Sequence, residues 1–196
     1  YFYNALSNIE QVDLVVLPEM FSTGFTMNPE ANFELFDGEL IENLIQISSQ
    51  KNIAITGSLI IKEDDKYFNR LIFITPDKKM VKYDKRHLFS LAKEEKYYTA
   101  GNDRLLVEYK GWKICPLVCY DLRFPVFSRN DVDYDLLIYV ASWPEKRIYA
   151  WDSLLKARAI ENMAYTIGVN RIGVDGYNAN YVGHSQVLDY MGQYLI

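Results

Sequence analysis

Apolar, often β-branched residues come in short runs along the chain, at Val12–Leu17, Ile53–Ile61, Leu71–Thr75, Trp112–Val118, Leu136–Ala141 and Tyr165–Val169. Several runs are apolar at nearly every position instead of every second one, as in strands buried on both faces. They predict central strands. Elsewhere the period lengthens: Leu40, Ile41, Leu44, Ile45 and Ser48 share one helical face, as do Trp151, Leu154, Leu155, Arg158 and Ala159. These predict covering helices. The polar breaks Lys62–Lys66, Pro76-Asp77-Lys78 and Lys110-Gly111 have hairpin length, so the sheets are expected to be mixed. The class is therefore α/β or α+β, in layers. Tyr1–Gln11 reads as the tail of a helix entering the first strand, and Met191-Gly192 as a hairpin turn. No repeat, low-complexity tract or Pro/Gly/Ser-rich linker interrupts residues 1–196, which read as one domain, with abrupt ends of the kind a fragment would have.

Composition narrows the function classes. With 196 residues, 49% hydrophobic and 24% charged, the chain has the balance of a soluble globular domain. A formal net charge of -5 and the lack of Lys/Arg runs argue against nucleic acid as a partner. No stretch approaches the roughly 20 consecutive apolar residues that span a bilayer, and Tyr1-Phe2-Tyr3-Asn4 does not resemble a charged signal-peptide start. Cys115 and Cys119, four apart in one apolar run, are badly placed for a disulfide, so a reducing, cytoplasmic setting is expected. His87 and His184 lack zinc-site spacing, and no metal is expected.

Chemistry is most plausible at three places. In Leu17-Pro18-Glu19-Met20-Phe21 a carboxylate follows a buried-looking strand and a proline that ends ladder pairing, a position facing the crevice where open sheets hold ligands. Glu19 would equally serve as a helix cap or a surface ion pair. Tyr83-Asp84-Lys85-Arg86-His87-Leu88-Phe89 is a charged cluster that reads ordinarily as a solvated loop, yet in a dry pocket a lysine ammonium can hold an oxyanion. In Cys115-Pro116-Leu117-Val118-Cys119-Tyr120-Asp121-Leu122-Arg123-Phe124-Pro125 an apolar strand ends on a thiol. A tight strand-to-helix turn would expose the sulfur and aim backbone N–H groups at a bound carbonyl. Helix dipoles and a nearby cation would lower the thiol pKa. The plain alternative is an inert core cysteine, a role that suits Cys115. All three sites lie at strand ends, so one sheet edge can gather an acid, a base and a thiol, a coherent acyl-transfer set.

These three blocks resemble those of the carbon-nitrogen hydrolase family, the nitrilase superfamily, and the resemblance extends over essentially the whole chain. It implies a four-layer α-β-β-α sandwich, usually assembled as a homodimer or higher homo-oligomer. It also implies Glu19 as general base, Lys85 as oxyanion stabiliser and Cys119 as nucleophile. Glu94, with Glu95 as the neighbouring alternative, corresponds to a supporting carboxylate, and the backbone N–H of Tyr120 to the second oxyanion donor. The implied reaction releases ammonia from a small amide through a thioester that water then cleaves, with no cofactor. Ser142-Trp143-Pro144, Trp151 through Glu161-Asn162, Asn170-Arg171-Ile172-Gly173 and Gly183-His184-Ser185 are similar to the omega-amidase branch, whose substrates are omega-amides of 2-oxo acids such as 2-oxoglutaramate and 2-oxosuccinamate. Their carboxylate would suit Arg123, Arg147 or Arg171, beside Trp143, though Arg123 is alternatively a partner of Asp121. Family members carry a further strand before Tyr1–Gln11 and more chain after Ile196, which the resemblance expects to be missing from 1–196. Another amidase, a carbamoylase or a nitrilase is the alternative within the family. Outside it stand a non-catalytic small-molecule-binding relative and a Cys-His hydrolase using His87 or His184.

Overall fold

A computed structural model describes residues 2–196, with Phe2, Asn4 and Ser7 described by backbone alone. In chain order the helices are α1 (Phe2–Ser7), α2 (Glu39–Lys51) and α3 (Ile148–Asn162). The strands are β1 (Leu14–Val16), β2 (Glu34–Leu35), β3 (Ala54–Glu63), β4 (Lys66–Ile74), β5 (Met80–Asp84), β6 (Val107–Tyr109), β7 (Trp112–Val118), β8 (Leu136–Ala141), β9 (Tyr165–Asn170), β10 (Ile172–Val174), β11 (Asn180–Val182) and β12 (Gln186–Leu188). One sheet runs β1-β3-β4-β5, with the short β2 also paired to β3. There β1 and β2 lie parallel to β3, whereas β3-β4 and β4-β5 are antiparallel hairpin pairs, as the polar breaks anticipate. The other sheet runs β12-β9-β8-β7-β6, parallel in its three central strands and antiparallel at both edges.

Burial explains the layering. Strand β8 is buried at every position and so sits at the centre of its sheet. Ile55, Leu59, Ile72 and Ile74 of the first sheet pack against Ile41 and Leu44 of α2 and Leu6 of α1. Leu71, Phe73 and Tyr83, on the other face, join a core shared with Cys115 and Leu117 of β7, with β4 crossing against β7. Beyond the second sheet, α3 closes the core with Trp151, Leu155 and Ala159. Gly168 of β9 lets α3 come close, for a Cβ there would lie 2.4 Å from the Leu155 side chain. The order is thus helices, sheet, sheet, helix: the four-layer α-β-β-α sandwich with mixed sheets.

Three elements depart from expectation. Strand β4 begins at Lys66, five residues before the expected Leu71, because its first half is polar and anchors itself in other ways. Arg70 is buried there on Asp84 and Glu63, between the rings of Phe36 and Phe68. The ribbon of β10 and β11 is too exposed and too short to show as an apolar run. The expected helix over Tyr1–Gln11 is α1, ending at Ser7, while Tyr1 lies outside the described residues. The turn at Met191-Gly192 is formed as expected, closed by a Leu188–Tyr194 bridge.

Candidate active site

Strand β1 ends at Val16, β5 at Asp84 and β7 at Val118, and the next residues of chemical interest are Glu19, Lys85 and Cys119. All three are buried and line one cavity of about 590 Å³. Lys85 Nζ donates to Glu19 Oε1 at 2.9 Å and to Glu94 Oε2 at 2.9 Å. Glu94 is fully buried whereas Glu95 is exposed, so of the two it is Glu94 that meets Lys85. Its position is fixed by the N–H of Phe89, which donates to Oε2 at 2.6 Å. Burial works against the Lys85 charge, but Glu19, Glu94 and Cys119 outweigh it and raise its pKa, so the ammonium persists. Burial raises the Glu94 pKa, with Lys85 opposing.

Cys119 opens a short 3-10 helix, Cys119–Arg123, directly after the extended Val118. Its φ of 46° lies in the left-handed region, which a non-glycine residue occupies at a cost that surrounding structure must offset. This is the strand-to-helix elbow the sequence predicts. The N–H of Tyr120 lies in the first turn of this helix, where backbone N–H groups have no partner within the helix. Asp121 secures the elbow. Its buried carboxylate accepts from Val118 N at 3.0 Å, Tyr83 Oη at 2.7 Å, His87 N at 2.9 Å and His87 Nδ1 at 2.8 Å. From the other side, Arg158 of α3 donates to Leu122 O at 2.6 Å.

The thiol itself corrects one expectation. Its pKa is raised well above the ordinary value, first by burial and then by Glu19, which together outweigh Lys85. The elbow therefore presents a neutral thiol in the same cavity as the Glu19 carboxylate, not a preformed thiolate. Cys115 is buried inside β7, and burial pushes its thiol up to about 12. Neither histidine takes the base role: His87 pairs with Asp121 and stacks on Phe124 at 3.7 Å, and His184 pairs with Asp152.

The arginines separate. Arg123 and Arg147 line the cavity, on the faces of Trp143 and Phe89 respectively. Asp121 takes Tyr83 and His87 as partners, which removes the alternative of an Arg123–Asp121 pair. Arg171, between β9 and β10, does not line the cavity and lies over the ring of Tyr181 at 4.6 Å. Trp143 is a wall residue, its N–H donating to Asn170 Oδ1 at 2.7 Å. The sequence reading missed two contributors. Asn69 Nδ2 donates to Glu19 at 2.8 Å and Glu94 at 3.3 Å, and Ser142 N donates to Glu19 Oε2 at 2.8 Å. Their signal was faint: a lone polar side chain inside β4, and the first polar residue after β8.

Two sheets packed face to face between helices, with a thiol, a carboxylate and an ammonium delivered to one cavity by strand ends of both sheets, are the architecture of a nitrilase-superfamily enzyme. The family model for carbon-nitrogen hydrolases matches residues 2–196, and the chain belongs to that family. It is 48% identical to omega-amidase YafV of Yersinia enterocolitica over 193 residues, covering 98% of this chain and 75% of that protein. It is 31% identical to the 2-oxoglutaramate amidase of Bacillus subtilis, over 95% of this chain and 73% of that protein. Among solved structures it is similar to XC1258 of Xanthomonas campestris, a CN-hydrolase superfamily protein with an arsenic adduct in its active site, at a TM-score of 0.97 and 46% identity, covering 100% of this chain and 77% of that one. Saccharomyces cerevisiae Nit3, at a TM-score of 0.85 and 22% identity over 99% of this chain and 75% of that one, shares the fold. Such relatives make the chain an amidase of the carbon-nitrogen hydrolase type.

Proposed function

We propose that this enzyme is an omega-amidase that hydrolyses the terminal amide of 2-oxo dicarboxylic acid monoamides, 2-oxoglutaramate and 2-oxosuccinamate, to ammonia and the free acid. The observation that carries the reading is the gathering of the buried Cys119 thiol, the Glu19 carboxylate and the Lys85 ammonium that donates to it on one cavity, with Arg123 and Arg147 in its wall. Similarity to omega-amidase YafV and to a 2-oxoglutaramate amidase supports the substrate class.

Glu19 takes the thiol proton as sulfur attacks the amide carbon, which avoids holding a free thiolate where burial disfavours one. The oxyanion forms against the Lys85 ammonium and the Tyr120 N–H, donors already oriented before reaction. Glu19 returns the proton to the departing nitrogen, ammonia leaves, and a thioester remains on Cys119. Water, activated by the same carboxylate, then cleaves the thioester and regenerates the thiol. Glu94 and Asn69 keep Lys85 and Glu19 in place throughout.

An ammonia-release screen tests the reading. The two oxo-acid amides should give the highest kcat/KM among a set that includes glutamine, N-carbamoyl amino acids and simple nitriles. Faster turnover of nitriles or carbamoyl compounds would replace this reading with a nitrilase or carbamoylase. Cys119→Ala should abolish turnover and Cys115→Ala should largely retain it; equal losses would remove Cys119 as the nucleophile.

A further inference from the structure

Most arginines of this chain spend their guanidinium on oxygen acceptors. Arg70 holds Asp84 and Glu63, Arg86 holds Gly101 O, Arg104 holds Asp131, Arg129 holds Glu161 O, and Arg158 holds Leu122 O and Glu161. Arg123, Arg147 and Arg171 differ, and of these only Arg123 and Arg147 line the cavity, Arg171 lying over Tyr181. Among the described residues neither guanidinium has a carboxylate or carbonyl partner; each lies on an aromatic face, Arg123 at 5.0 Å from the Trp143 centroid and Arg147 at 5.0 Å from that of Phe89. A guanidinium held over a ring without an oxygen partner keeps its N–H donors for a planar, two-oxygen acceptor.

Both supporting rings are registered to the reacting groups. Phe89 is anchored by its own N–H on Glu94 and meets the ring of Tyr120, the residue after the thiol, at 5.1 Å. Trp143 directly follows Ser142, whose N–H holds Glu19, and its Nε1–H donates to Arg147 O at 2.8 Å. The nearby acids of the cavity wall are already engaged: Glu145 accepts from Asn180, and Asp175 from Tyr181 and two backbone N–H groups. Those acids keep their charge but take neutral donors, and among the described residues no ion pair joins either of them to Arg123 or Arg147, so the two guanidinium groups stand at fixed positions near Tyr120.

We infer that Arg147 is the carboxylate subsite of this enzyme, assisted by Arg123, and that it selects amides carrying a carboxylate over neutral amides; this rests on the omega-amide reading. Arg147 leads because it is half-buried, where a charge is screened less than at the exposed Arg123. Its role is to hold one end of the substrate so that the amide at the other end meets Cys119.

The test compares the wild-type protein with Arg147→Ala, Arg147→Lys and Arg123→Ala on 2-oxoglutaramate and on valeramide, a neutral amide of the same chain length. Glutarate serves as a competing dicarboxylate. In Arg147→Ala the kcat/KM ratio between the two amides should fall about tenfold or more, mostly through KM, as expected for a lost charge-assisted fork. Glutarate inhibition should weaken in parallel. Arg147→Lys should recover only part of the ratio, because a point charge does not reproduce the fork, and Arg123→Ala should lower it less. A ratio unchanged in Arg147→Ala, or equal losses on both amides, overturns the subsite. If the wild-type protein ignores 2-oxoglutaramate but glutarate still inhibits it through Arg147, the subsite stands and the omega-amide reading falls.

Discussion

Cys119 and Glu19 are useful as a pair because each alone is poorly suited to its environment. Burial and the Glu19 charge both raise the thiol pKa, and Lys85 offsets them only in part. Replacing Glu19 with Gln removes one upward cause while leaving Lys85 in place, so the sign is downward. The thiolate titration of Cys119, followed by its absorbance near 240 nm, should move to lower pH in Glu19→Gln even as amide turnover is lost. A midpoint that stays or rises in that variant would mean Glu19 does not bear on the thiol charge. Lys85 responds oppositely, since the two carboxylates raise its pKa against burial and hold it cationic through the neutral range. At this scale the sequence showed which residue types could cooperate. It did not show Asn69, because a single Asn within a strand carries no pattern, and its value lies in reaching two carboxylates 50 and 25 positions away.

Among the elements, the Cys119–Arg123 turn matters most, and Asp121 ties it to the segment that carries Lys85. One carboxylate joins the end of β7, Tyr83 of β5 and the backbone of His87, two residues beyond Lys85. The same segment is packed tightly from outside: a Cβ on Gly101 would lie 2.2 Å from Asp84 O, one residue before Lys85. Asp121→Asn keeps the shape but removes the charge that strengthens these hydrogen bonds, a loss of about 2–4 kcal/mol of stability if several weaken together. It should lower kcat more than tenfold with little change in KM, measured well below its melting temperature. A lower melting temperature with kcat intact would limit Asp121 to holding the fold. The strand ends were legible because β1, β7 and β8 are nearly uninterrupted apolar runs that stop at Pro18, Cys119 and Ser142. The polar half of β4 was not, since Arg70 is buried by partners remote in sequence, Glu63 and Asp84.

The molecule as a whole makes the site depend on how its two sheets face one another. Glu19 and Lys85 leave the first sheet, while Cys119 and Ser142 leave the second. Phe73, fully buried between the sheets, and Leu44, fully buried between α2 and the first sheet, separate this dependence from stability in general. Phe73→Ala should cost about 3–5 kcal/mol and Leu44→Ala about 2–5 kcal/mol, read from denaturant midpoints. At temperatures where both variants remain folded, Phe73→Ala should also depress kcat, because it loosens the contact that sets Glu19 against Cys119. Leu44→Ala should leave kcat near the wild-type value. Equal effects on kcat would show that the register between sheets does not govern the site.

Periodicity alone determined the layered α/β class, the central strands and the two covering helices, because burial on one or both faces writes itself into local spacing. The blocks around Glu19, Lys85 and Cys119 determined the family, since their residue types recur in one order. Tertiary structure decided what local spacing cannot carry. It buried Glu94 against Lys85 and exposed Glu95, gave Asp121 to His87 and Tyr83 instead of Arg123, and left Arg147, not Arg171, in the cavity wall. It also set the charge state of the thiol, because a pKa depends on burial and on charges that only folding brings within reach.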